Sequence, residues 1–172
     1  MTEPEAPGER RIELAIISDT HGLLRPSLFR ALEGVDHILH AGDVGSSDIL
    51  TALEAVAPVT AVTGNTDGFE LRHRIPEVQT LEIGGIRVVV THGHQFGRGP
   101  TPALLREAWP DAGLVVFGHT HRPLMEEIGD AWFVNPGSCG PRRFDLPVEM
   151  VRATIANGRF QAEAIPLDTA DH

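Results

Sequence analysis

Five short runs of apolar and β-branched residues organise most of the chain: 14–18 (LAIIS), 38–41 (ILHA), 59–63 (VTAVT), 88–91 (VVVT) and 114–117 (LVVF). Each runs straight into Asp, Gly or His. Runs of that length with such stops read as buried strands. Between them, residues 26–32 open on Pro26 and end near Gly34. Residues 46–56 begin with Ser46 and Ser47 and place Asp48 in a first turn, and residues 102–109 run from Pro102 to the stop at Pro110. All three read as helices. This alternation predicts parallel strands joined by helical crossovers. The later chain differs. Runs 78–83 and 86–91 flank Gly84-Gly85, runs 124–128 and 131–134 flank Gly129-Asp130, and runs 148–156 and 159–167 flank Asn157-Gly158. Each pair signals a hairpin, Asn-Gly most strongly. Phe160, Ala162 and Ala164 alternate with Gln161 and Glu163, as in a strand with one wet face. The expected class is α/β (α+β): two packed mixed sheets, partly parallel and partly antiparallel, with helices outside.

The residues that end the five runs bring chemistry with them. They are Asp19-Thr20-His21, Gly42-Asp43, Gly64-Asn65, His92-Gly93-His94 and Gly118-His119-Thr120-His121. In an open α/β sheet, ligands gather beyond the carboxyl ends of the strands. One rim therefore collects two Asp, one Asn and four or five His, too many for one cation and about right for two. On an extended segment, residues i and i+2 face the same side. Asp19 with His21, and His119 with His121, would each present two ligands while Thr20 and Thr120 point away. The two oxygens of Asp43 can bridge two cations. Mixed Asp, Asn and His donors suit Mn, Fe, Ni or Zn better than Mg or Ca. A structural zinc site would favour Cys.

The totals narrow the classes. At 172 residues, one domain is expected, over 11–167, with residues 1–10 and 168–172 as disordered tails. A composition 41% hydrophobic is that of an ordinary soluble globule. No apolar stretch approaches the ~20 residues a bilayer span needs, and residues 1–11 have no apolar core of the signal-peptide kind. The lone Cys139 excludes an intramolecular disulfide and suggests a reducing compartment, the cytoplasm. With 14 basic against 24 acidic residues the net charge is -10, which argues against non-specific nucleic-acid binding. Every basic residue among the 14 is Arg. A P-loop lysine and a Lys Schiff base are thereby ruled out.

Taken in order, Asp-x-His, Gly-Asp, Gly-Asn-x-Asp, a His beside Gly and Gly-His-x-His resemble the calcineurin-like metallophosphoesterase family, over residues 14–138. The spacings, and Asn135-Pro136-Gly137-Ser138, are similar to its small single-domain YfcE-type phosphodiesterase branch. The resemblance implies a four-layer αββα sandwich and two divalent metal ions, expected to be Mn, with Ni, Fe, Co or Zn as substitutes. It implies that Asp19, His21 and His121 hold one ion, that Asn65, His92 and His119 hold the other, and that Asp43 bridges them. A bridging hydroxide would be the nucleophile, and Asn65 would also orient the phosphoryl group. The larger phosphatases of the family carry a His after the Gly-Asn pair; here Thr66 stands there. Thr66 cannot protonate an alkoxide near neutral pH, so His94 becomes the candidate general acid. Asp67 would orient a His or another ligand from behind, and His40 would pack beneath the site.

Arg98, Arg122, Arg142 and Arg143 follow site motifs and carry the charge a phosphate needs, although solvated loop arginines are the simpler reading. His37, His73 and His172 read as surface residues, and Cys139 as a buried inert thiol. The leading function is a two-metal phosphodiesterase or phosphomonoesterase acting on a small phosphate ester. Two alternatives are a nucleotide-signal hydrolase and a non-catalytic interaction scaffold like the retromer subunit of this fold. Leu23, Leu24 and Phe29 in an early helical region suggest a homodimer.

Overall fold

The computed structural model describes residues 10–170. The expected lead-in therefore lies, apart from Arg10, outside the described residues. Ten strands and four helices follow in the order β1 (Ile12–Ile17), α1 (Pro26–Ala31), β2 (His37–His40), α2 (Ser47–Glu54), β3 (Val59–Ala61), α3 (Phe69–Arg74), β4 (Val78–Ile83), β5 (Ile86–Thr91), α4 (Pro102–Ala108), β6 (Leu114–Val116), β7 (Leu124–Ile128), β8 (Ala131–Asn135), β9 (Glu149–Ala156) and β10 (Arg159–Pro166). A 3-10 turn, His94–Phe96, follows β5. Each expected strand and helix is present to within a few residues at its ends.

Two five-stranded sheets form, in the orders β10-β9-β1-β2-β3 and β4-β5-β6-β8-β7. Both are mixed. β1, β2 and β3 run parallel, as do β5, β6 and β8, while the three hairpin pairs and β1 with β9 are antiparallel. Asn157 and Gly158 have φ of 55 and 69, the left-handed pair that a two-residue hairpin turn needs.

Alternation along the strands places the core on both faces of each sheet. Leu14 and Ile16 of β1, with Leu39 of β2, meet Val88 and Val90 of β5 and Leu114 and Val116 of β6 between the sheets. Ala15 and Ile17, one residue out of phase, pack instead under Leu28 and Leu32 of α1 and Leu50 and Leu53 of α2. Val89 and Val115 pack on the far face with Leu105 of α4. The layers are helix, sheet, sheet, helix, the four-layer sandwich that the resemblance implied. Because β1, β2, β3, β5 and β6 are nearly all buried, they read as unbroken apolar runs.

Three local expectations need correction. α3 was not expected. Its sequence FELRHR buries only Leu71, so it has no apolar stripe to betray it. Ser46 occupies the N-cap of α2, but its side chain makes no cap hydrogen bond, and Ser47 Oγ reaches Glu70 instead. Of the expected tail, Asp168 and Thr169 are held: Asp168 N–H donates to Ser27 Oγ (3.2 Å), and Thr169 O accepts from Arg25 (3.4 Å), while residues 171 and 172 lie outside the described residues. Among the described residues no helix is long and apolar enough to cross a membrane.

Cys139 is fully buried, and burial pushes its thiol up to about 12. Only the thiolate reacts readily. A maleimide or disulfide reagent at pH 8 is expected to leave Cys139 unmodified in the native protein and to label it fully after unfolding, as mass spectrometry would show.

Candidate metal centre

The apolar runs end at one edge of the sandwich, and their terminal residues converge there. Asp19 Oδ1 lies 3.2 Å from His121 Nε2, 3.7 Å from His21 Nε2 and 3.9 Å from His92 Nε2. Asp43 Oδ2 lies 3.3 Å from His92 Nε2 and 3.7 Å from His21 Nε2. Asn65 Oδ1 is 3.1 Å from His92 Nε2, and the Nε2 atoms of His21 and His121 face each other at 3.4 Å. Two groups have ligand-competent atoms close enough to share an ion: Asp19, His21 and His121, and Asp19, Asp43 and His92. His119 stands at the His92 side, its ring centroid 5.2 Å away.

The backbone route to this convergence differs from the expected one. Asp19, His21, Asp43, His119 and His121 all have positive φ, from 45 to 73. The two Asp/His and His/His pairs therefore do not sit on extended segments, and alternation is not what aligns them. Non-glycine residues avoid this region. Among the other described non-glycine residues only Phe144 and Asn157 share it. Such conformations cost about 1–3 kcal/mol each and persist where the surroundings enforce them. Here the enforcement is visible. Asp19 N–H donates to Gly42 O, His21 N–H to Asp43 O and Gly22 N–H to Val44 O, each at 2.9 Å, so the loop after β1 zips onto the loop after β2. Thr20 does point away: its hydroxyl donates to Val44 O (2.7 Å).

Supporting contacts aim these side chains. Ser18 Oγ donates to Asp19 Oδ2 (2.5 Å), leaving Oδ1 buried with no hydrogen-bond partner. His92 Nδ1 lies 2.7 Å from Ala41 O, so it carries the proton and donates, turning Nε2 toward the carboxylates. Burial opposes charge on His92, but the Asp43 contact and the Asp19 charge outweigh it and raise its pKa. For Asp43, burial pushes upward and His92 and the Thr66 backbone N–H hold the carboxyl well below its usual range. At Gly64 a Cβ would overlap Asp43 Oδ1, so only glycine lets the Asn65 loop approach the Asp43 carboxylate this closely. Asn135 Nδ2 donates to Gly118 O (3.1 Å) and Thr120 Oγ1 (3.0 Å), fixing the loop of His119 and His121.

Among the described residues Asp67 makes no hydrogen bond to a histidine. Its carboxylate accepts the backbone N–H groups of Gly64 (2.8 Å), Val44 (3.1 Å) and Gly45 (2.9 Å), clasping the loops that carry Asn65 and Asp43. His40 is fully buried beneath the site. Its Nδ1 accepts Gly42 N–H (3.2 Å), and its Nε2 lies 2.9 Å from Thr20 Oγ1, which already donates elsewhere. That pattern requires a neutral ring protonated on Nε2, as burial, which lowers its pKa to about 4, also demands. His94 sits at the margin in the 3-10 turn, 5.4 Å from His92 and 6.4 Å from His119 between ring centroids, with Nδ1 buried and unpartnered. Sequence reasoning missed Ser18 and the Ala41 carbonyl: a serine before an aspartate and a backbone oxygen carry no motif.

The donor set fits a divalent cation. An unpartnered buried carboxylate oxygen faces imidazole nitrogens at 3.2–3.9 Å, with further oxygens beside them. The profile of the calcineurin-like phosphoesterase superfamily domain matches residues 12–158. The chain belongs to that superfamily. It is 40% identical over 162 residues to a probable metallophosphoesterase of Methanothermobacter thermautotrophicus, covering 88% of this chain and 91% of the relative. It is 33% identical over 152 residues to phosphodiesterase YfcE of Escherichia coli, covering 74% and 79%. The small YfcE-type branch read from the motifs is thereby supported. Among solved structures, vacuolar protein sorting 29 of Cryptosporidium parvum superposes with a TM-score of 0.76 over 92% of this chain and 99% of that one; at 21% identity this likeness concerns the fold.

Proposed function

We propose that the protein is a two-metal-dependent phosphoesterase, acting foremost on small phosphate diesters. The observation that carries the reading is the unpartnered Asp19 Oδ1 amid the Nε2 atoms of His21, His92 and His121, with Asp43 Oδ2 beside two of them. In this reading Asp19, His21 and His121 would hold one divalent ion, Asn65, His92 and His119 would hold the other, and Asp43 would serve both. A pair of such ions supplies a water of lowered pKa and neutralises charge on the phosphoryl group. Asn65, exposed beside His92, also orients the phosphoryl oxygens, and His94 at the margin delivers a proton to the departing oxygen. A scaffold role on this fold would need none of these converging donors, which favours hydrolysis.

Mn is the expected ion, since mixed Asp, Asn and His donors suit borderline divalent metals. Metal analysis of the purified protein is expected to approach two ions per chain. Chelation should abolish hydrolysis of bis-p-nitrophenyl phosphate, and Mn should restore it best. Full activity in a metal-free preparation would refute the reading.

A homodimer remains part of the proposal. Leu24 is consumed by the core and Leu23 is half-buried, which leaves Phe29, 37% exposed, as the apolar residue free for contact. Light scattering is expected to give a mass well above the 18.6 kDa monomer, and a clean monomer would remove this part.

A further inference from the structure

The four edge strands of the two sheets are protected unequally. β3 is three residues long, and Gln79 of β4 donates to its Ala61 O (2.9 Å). At β7, Arg106 donates to Ile128 O (2.6 Å), and Glu126 and Glu127 set like charge along the strand. β10, at eight residues, is the longest of the four. Among the described residues no side chain hydrogen-bonds to its backbone. An unpaired edge of that length is a template for another strand.

The ladder with β9 fixes which backbone groups of β10 remain free. In an antiparallel pair, hydrogen-bonded residues alternate with non-bonded ones. Leu167 N–H donates to Val148 O at 2.9 Å, continuing the register in which Pro166 faces Glu149 and Arg159 faces Ala156. Counting back by twos, Ile165, Glu163, Gln161 and Arg159 turn their N–H and C=O groups to β9. Phe160, Ala162, Ala164 and Pro166 turn theirs outward. Pro166, with no N–H to give, falls in the outward set, as an edge strand demands. Side chains alternate as well. Phe160 and Ala162 pack between the sheets, while Arg159, Gln161 and Glu163 stand exposed on the opposite face. Neither Arg159 nor Glu163 makes an ion pair or side-chain hydrogen bond among the described residues.

We propose that β10 pairs with β10 of a second copy of this chain, antiparallel about a two-fold axis at Gln161, joining two five-stranded sheets into one of ten strands. New hydrogen bonds must join outward residues to outward residues, so the axis falls at a residue and not between two. Centred on Gln161, Phe160 of each copy exchanges hydrogen bonds with Ala162 of the other, and Arg159 of each stands opposite Glu163 of the other. Centring on Ala162 would set Arg159 against Ile165, and centring on Glu163 would set the two carboxylates against each other. Opposite charges directly across a ladder are favourable and like charges unfavourable. The Gln161 centre supplies two favourable pairs, and Pro166 lies beyond the overlap. This names the surface of the homodimer proposed above and rests on that reading. Phe29 alone, 37% exposed, falls far short of the ~800 Å² that each partner buries in a stable complex. β10 runs in the direction of β1, each being antiparallel to β9, so its Arg159 end lies away from the metal centre.

Sedimentation equilibrium of the full chain at micromolar concentration tests the pairing. The wild type is expected to be a dimer. Arg159→Glu and Glu163→Arg each place like charges opposite one another twice, and each should weaken the dimer about tenfold or more. The two substitutions combined should restore it to near the wild-type strength. Ala162→Pro removes an outward N–H that β9 does not use, and should give the 18.6 kDa monomer. Phe29→Ser should leave the dimer intact. Circular dichroism, and hydrolysis of bis-p-nitrophenyl phosphate with Mn, should be unchanged in the charge variants. A monomeric wild type would remove the homodimer and this edge together. A dimer that keeps its strength in both single charge variants, a double variant no tighter than the singles, or a dimer lost in Phe29→Ser would overturn the β10 pairing and leave the homodimer standing.

Discussion

Asp43→Asn is expected to lower phosphodiester turnover by about three orders of magnitude or more under saturating Mn, with the fold intact. The two oxygens of Asp43 have separate duties. Oδ1 accepts Thr66 N–H at 3.0 Å and anchors the Asn65 loop, while Oδ2 faces His92 Nε2 at 3.3 Å and His21 Nε2 at 3.7 Å. Asparagine preserves the shape and the Thr66 contact. It replaces the inward oxygen by an NH2 group, which cannot ligate, and removes the negative charge shared by both halves of the site. Metal ions contribute several kcal/mol of charge stabilisation in such reactions, and about 1.4 kcal/mol is a factor of ten in rate. His21→Ala and His119→Ala each remove one neutral donor from one side. Their losses should be smaller and partly recovered by raising the Mn concentration. The strands and helices that surround the site are cored by aliphatic residues outside it, so circular dichroism should be unchanged in all three variants. Near wild-type turnover by Asp43→Asn would show that Asp43 does not span the two ions.

The same loops show what a sequence can and cannot declare. Strand ends were legible because buried parallel strands leave unbroken apolar runs, and a polar residue after such a run has only the rim to occupy. Hairpins were legible because Gly84-Gly85 and Asn157-Gly158 advertise positive φ. The left-handed backbone at Asp19, His21, Asp43, His119 and His121 was not, since Asp and His enter that region more than most residues but still rarely, and the conformation is imposed by hydrogen bonds between distant loops. Nor was the work of Asp67. Its clasp on three backbone N–H groups exists only once β2 and β3 lie side by side. The insertion of β9 beside β1 is likewise a long-range choice, made by the inward faces of Val151 and Ala153 against the intersheet core.

His94→Ala is expected to slow the hydrolysis of alkyl or ribose diesters about 10²–10⁴-fold while barely changing p-nitrophenyl esters. General acid catalysis contributes that much when an alkoxide must depart, and little when a stable phenolate leaves. The position of His94 supports the role. It lies one residue beyond Gly93 from His92, at the half-buried margin of the cluster, where a departing oxygen would emerge. Its Nδ1 is buried without a partner. Burial lowers its pKa, the charges of His92 and His119 lower it further, and Glu77 opposes them. A lowered pKa makes the protonated ring a stronger acid, and an alkoxide is basic enough to take its proton. The sign for pH follows: hydrolysis of alkyl diesters should fall as pH rises through the His94 pKa, and this limb should vanish in His94→Ala. His92→Ala must behave differently. It removes a proposed metal ligand whose Nε2 faces Asp43 and Asn65, so good and poor leaving groups should slow alike. The measurement is a series of diesters graded by leaving-group pKa, run on the wild type and both variants. A steeper dependence on leaving-group pKa in His94→Ala alone identifies it as the acid; equal slowing across the series would assign His94 to positioning and leave solvent as the proton source.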